Sequence, residues 1–283
     1  MIKIKKHLFC PEAARWLWNP VFPAAVAVSA VLILMDIFMG LSQVQINVSD
    51  LLDPDQHFSA ISVIISSCHS NFIRFTSLCL CALPAVGIYA EDFEENAVYM
   101  RIQRLGRFRY ALSRVLYTLV SSWLCAVLAE IVCILVFCIG FGLPILQEGD
   151  SYEWMGNPSA LLQQGRVGSY LFILIGICGL RAGFYALLAL AFTIYIPNRR
   201  VAFALPLLGW YFFRNILLKV DWIPRYLQPN SLYLEDFSPP GFIHTEWHYF
   251  LYLTLYTCLA GAVVFILLLR QLRKKGIFGG ELE

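Results

Sequence analysis

Six stretches of about twenty mainly apolar residues punctuate this chain, and no other feature restricts its fold as severely. They cover residues 21–41, 64–90, 115–139, 167–196, 201–218 and 247–269. A helix needs about 20 such residues to cross the ~30 Å hydrocarbon layer of a bilayer. Composition agrees with that reading: 59% of the 283 residues are hydrophobic and only 14% are charged. Soluble domains carry about 25% charged residues, so a soluble enzyme, a disordered tail and a secreted disulfide scaffold are excluded. The net charge of +2 gives no electrostatic footprint for nucleic acid. The expected fold is an all-α membrane protein with six transmembrane helices, built as one domain over residues 1–283.

Lys and Arg accumulate in cytoplasmic loops, so their distribution sets the topology. Fifteen of the 21 fall in the N-terminal segment, the loop after the second stretch, the turn at 197–200 and the C-terminal tail. Arg166, Lys219 and Arg225 lie on the other side, and Arg74, Arg181 and Arg214 lie inside stretches. This bias predicts cytoplasmic N- and C-termini on a multi-pass protein. Residues 1–20 mix Lys3, Lys5, Lys6 and Arg15 with Leu8, Phe9, Trp16 and Trp18. That composition suits either a helix lying in the membrane interface or an ordinary juxtamembrane anchor. It is not a cleavable leader, because Ala27 and Ala30 sit inside the apolar run and not after it. Eight of the nine cysteines also fall in apolar runs, where free cysteine behaves as a small hydrophobe. The five histidines are scattered, a poor set for a metal, and none is expected.

The densest charge lies at residues 91–110. Glu91, Asp92, Glu94 and Glu95 come first, and Arg101, Arg104, Arg107 and Arg109 follow. Val98, Ile102 and Leu105 recur at helical spacing, which predicts a short amphipathic helix, stopped by Gly106. Acids at the start of that helix and cations at its end would both suit the helix dipole. A plain charged cytoplasmic loop is the alternative.

In this order of features the segment resembles the cytoplasmic loop of ABC transporter permeases of the type-2, exporter-like family. The matching parts are the acidic run 91–95, a coupling helix at 97–105, the Gly106-Arg107 turn, and Arg114 entering the third span. Tyr226-Leu227-Gln228-Pro229-Asn230-Ser231-Leu232 is similar to the tyrosine/leucine–proline–polar–leucine stretch that follows the family's fifth span. The resemblance implies an N-terminal interfacial helix in 1–20, a cytoplasmic coupling segment at 91–110 and external re-entrant short helices in 219–246. It implies a bacterial plasma (inner) membrane permease that pairs with a second permease chain, as homo- or heterodimer, and with separate ATPase subunits. Such an assembly exports an amphipathic, peptide or lipid-like substrate by alternating access. The residues it assigns to ATPase coupling are Glu91, Glu94, Glu95, Val98, Arg101, Ile102, Arg104 and Leu105. The chain has no G-x-x-x-x-G-K-[ST] phosphate loop. ATP and Mg are therefore expected on the partner ATPase, with no cofactor and no enzymatic activity in this chain.

Five charges sit inside apolar stretches: Asp36, Arg74, Glu130, Arg181 and Arg214. Each costs ~2.5–3.5 kcal/mol at mid-span on insertion scales. Three roles are open. Asp36 and Glu130 can form ion pairs with the arginines. Asn71, Arg74, Ser77, Arg181 and Arg214 can line a substrate path for anionic or zwitterionic cargo. Arg214 above all can snorkel to an interface. Two rival functions also stand: a non-transporting immunity or sensor protein on the same six-span body, and an intramembrane enzyme. Against the enzyme, Glu94-Glu95 and Arg101 miss the E-E-x-x-x-R spacing, and no G-x-S-x-G nucleophile motif occurs.

Overall fold

No water satisfies the backbone within a bilayer core, so a spanning segment keeps its hydrogen bonds inside a helix. A computed structural model describes residues 20–43, 72–141, 153–154, 157–158, 160–219, 224, 227–229, 243 and 245–274, which are helical almost throughout. The elements are α1 (Val21–Gln43), α2 (Phe72–Glu94), α3 (Ala97–Leu105) and α4 (Arg107–Phe141). A two-residue antiparallel pair follows, β1 (Glu153–Trp154) with β2 (Asn157–Pro158). Then come α5 (Ala160–Gln163), α6 (Val167–Thr193), α7 (Arg199–Asn215) with a 3-10 turn at Leu217–Lys219, and α8 (Glu246–Lys274).

Four of these helices, α1, α4, α6 and α8, are long and apolar enough to cross a membrane. The chain is therefore an all-α, membrane-embedded protein. The described part of the second apolar stretch is also helical, as α2, and so is the fifth, as α7, the shorter of the two. α2 carries Arg74 near one end and Glu91, Asp92 and Glu94 at the other. α7 has 17 residues, a rise of about 25 Å and the shortest length that spans. Each also holds an internal proline, Pro84 and Pro206, which removes a backbone donor from the helical ladder. α4 starts at Arg107, earlier than the expected 115, so Arg107, Arg109 and Arg114 are helical and not in a loop. α8 continues past 269 to Lys274, and Arg273 and Lys274 in its last turn suit the dipole there. The interfacial helix expected in 1–20, Asn71, the side chain of Arg74 and the bulk of 219–246 fall outside the described residues.

α6 is the central helix, buried on nearly every side. It packs against α4, α8, α2 and α7, while α1 lies across α2 and α4. Gly179 and Gly183 make the close approach of α6 to α4 feasible. A Cβ on Gly179 would stand 2.6 Å from the Trp123 ring, and one on Gly183 would stand 2.7 Å from Leu119. Small residues four apart let two membrane helices bring their backbones together. The same contacts show that α4 and α6 run antiparallel. α2 and α4 are antiparallel too, since Cys81 meets Cys125 and Asp92 meets Arg114 in a constant register.

Candidate functional site at the α2–α3–α4 elbow

The acidic run does not open a helix, as its position before 97–105 had implied; it closes one. Glu91, Asp92 and Glu94 occupy the last turn of α2. The buried face of α2 runs through Ala82, Ala85, Tyr89 and Asp92 at helical spacing, so the helix continues until Asp92 is inside. Carboxylates at this end oppose the helix dipole, and something must compensate them. The chain then turns at Asn96, whose φ of 56° and ψ of 15° place it in the left-handed region. Asparagine tolerates that conformation better than most residues. α3 follows over the expected residues and ends at Gly106, whose N–H donates to the Ile102 carbonyl at 2.8 Å. The φ of 79° at Gly106 is the reason for glycine there.

Compensation comes from two arginines that share one oxygen. Asp92 has no exposed surface, and its Oδ2 accepts from Arg101 Nη1 at 3.0 Å and from Arg114 Nη2 at 2.7 Å. The Arg114 guanidinium also lies over the Tyr110 ring, 5.2 Å from its centroid, a cation–π contact. Beside this clasp, Val98 and Ile102 of α3 are buried. They join Tyr89 of α2, Tyr110 and Val115 of α4, Leu190 of α6 and Leu268 of α8 in one apolar cluster. The other face of α3 carries Tyr99, Met100, Gln103 and Arg104, all exposed, with Met100 at 58%. Glu94 and Glu95 are exposed at one end of the elbow, and Arg109 is exposed at the other. Phe108, 59% exposed, packs edge-on against Phe265 of α8 with centroids 5.1 Å apart.

The eight residues assigned to coupling thus divide into two groups. Val98, Arg101 and Ile102 fasten α3 to the body, whereas Glu94, Glu95 and Arg104 face outward; Glu91 and Leu105 are intermediate. From the sequence, Arg114 stood only as the basic residue entering the third span and Asp92 only as one of an acidic run; neither was assigned to coupling, nor were Tyr110 and the exposed Tyr99 and Met100. The one available signal for Asp92 is its phase with Ala82, Ala85 and Tyr89.

The described intramembrane charges are carried by four different helices. Asp36, Glu130 and Arg181 are buried on α1, α4 and α6. Gly179 meets Trp123 and Gly183 meets Leu119, so Arg181 lies level with residues near 122. Glu130 is eight residues further along α4, about 12 Å away along the axis. Arg214 is half-buried, over the Trp210 ring at 5.2 Å on its own helix. Ser77 is buried where α2 meets α1, and its carbonyl accepts from Ser29 Oγ at 3.2 Å. A further buried carboxylate, Glu246 in the first turn of α8, accepts the Leu161 N–H at 3.2 Å and ties α5 to α8. Among the described residues no group of His, Cys, Asp and Glu could hold a metal ion. No protein-family model matches the chain, and no curated protein and no solved structure is similar to it.

Proposed function

We propose that this chain is the membrane-spanning permease subunit of an ATP-driven exporter, and that α3 is the helix by which a separate ATPase subunit grips it. The observation that carries the reading is the two-faced construction of α3. One face is held to the body by Val98, Ile102 and the Asp92 clasp, while the other presents Tyr99 and Met100 to the surroundings. A loop that merely satisfies the positive-inside rule needs neither a buried clasp nor an exposed methionine. A docking helix needs both, because force applied to its outer face must reach the long helices. In this reading α2 and α7 complete a six-helix body with both termini in the cytoplasm. The outward face of α8, with Leu251, Leu255 and Leu259, meets lipid or the second permease chain. Arg181, buried in the central helix, is the described residue best placed on a substrate path, and the cargo is amphipathic, peptide or lipid-like.

A photo-crosslinking amino acid at Met100 tests the assignment in native membranes. The expected adduct is a subunit whose peptides include a G-x-x-x-x-G-K-[ST] phosphate loop. An adduct with another protein class would instead favour the immunity or sensor reading, and no protein adduct would overturn the docking role. Charge reversal at Glu94 and Glu95 should uncouple ATP hydrolysis from transport at least severalfold while the complex stays assembled.

A further inference from the structure

We infer that the two arginines of the Asp92 clasp have different jobs, Arg114 as permanent counter-charge and Arg101 as a releasable latch that lets α3 move between two positions. The inference deepens the docking reading and rests on it for its use, but the latch itself belongs to this chain alone. Both guanidiniums reach the same oxygen, yet their settings differ. Arg114 is closer, at 2.7 Å, its side chain is 6% exposed, and it is fixed within α4 and against Tyr110. Arg101 is at 3.0 Å, its side chain is 21% exposed, and it rides on α3. Water can therefore replace the hydrogen bond that Arg101 gives up. Asp92, left with Arg114, would still not be a bare carboxylate in an apolar setting, which is the outcome that makes breaking a buried pair so unfavourable. Departure of Arg114 would leave a buried cation without that partner's carboxylate and Asp92 with only the outer arginine.

The backbone is divided to match. From Phe72 to Phe141 the chain is helical except at the turn before α3 and at the single residue after it. Those breaks hold Asn96 at φ 56° and Gly106 at φ 79°, one at each end of the nine-residue helix. A rigid segment between two turns, fastened by Val98, Ile102 and an Arg101–Asp92 pair whose arginine reaches the surface, is a two-position element. A partner that covers Tyr99 and Met100 can bias it.

Hydrogen exchange on the purified full chain in lipid nanodiscs, with no ATPase present, tests this. Arg101→Gln should speed exchange of the amides in 97–105 by about tenfold or more, leaving residues 107–114 and the unfolding temperature near their original values. Arg101→Lys, which keeps the charge, should recover part of the protection. Arg114→Gln should loosen the end of α2, α3 and the start of α4 together, or prevent folding. Unchanged exchange over 97–105 in Arg101→Gln would overturn the latch. So would loosening of 107–114 in that same variant, because both arginines would then be structural. Failure to find an ATPase at Met100 would overturn the docking reading and leave these results standing.

Discussion

A carboxylate with no exposed surface, in the last turn of a helix whose dipole opposes it, persists here because two guanidiniums converge on one of its oxygens. Removing it strands them. Asp92→Ala should lower stability by about 3–5 kcal/mol, read as a fall in unfolding temperature of the purified chain. Glu94→Ala, two residues on and exposed, should stay within about 0.5 kcal/mol. That contrast explains what the sequence could not separate. Glu91, Asp92, Glu94 and Glu95 read as four equivalent acids in one run, and only the phase of α2 turns one of them inward. The pairing of Arg114 was hidden for a related reason: it looked like a cation at a membrane boundary, and its partner lies on another helix.

At the scale of elements, the limits of α3 were legible because local signals agree there. The spacing of Val98, Ile102 and Leu105 sets the helix, and Gly106 supplies the residue that ends it. The start of α4 was not legible, since Arg107, Arg109 and Arg114 lower the hydropathy of turns that are nonetheless helical. Gly179 and Gly183 were likewise lost inside an apolar run, although they let α6 approach α4 closely. Gly179→Ala would press a methyl group against the Trp123 ring and Val127, and should destabilise by about 1–3 kcal/mol. Gly183→Ala meets the flexible end of Leu119 and should be milder in the same thermal assay. The α2–α4 packing makes a further prediction, because Cys81 and Cys125 are neighbours across it. Mild copper–phenanthroline oxidation should join those two within one chain, seen as a linked peptide pair by mass spectrometry. Cys133 and Cys138, on α4 alone, should not join to Cys81.

For the whole molecule, the apolar stretches carried most of the architecture, and among the described residues four of them are helices long and apolar enough to span. Which end faces the cytoplasm rests on the Lys and Arg bias, and that is open to direct measurement. In a cysteine-free background, Met100→Cys should react with an impermeant maleimide only from the cytoplasmic side, and Gln164→Cys only from outside. Labelling of both from one side would refute the proposed orientation. One mechanical consequence follows from α4. Its 35 residues contain no proline and extend about 52 Å, well beyond the ~30 Å of hydrocarbon. It is a stiff rod with its overhang under the elbow, whereas α2 and α7 are each interrupted by a proline. A tilt of about 5° about its midpoint would carry each end roughly 2 Å in opposite directions. A displacement of the end beside the clasp would thereby be matched, undiminished, at the other end of the rod.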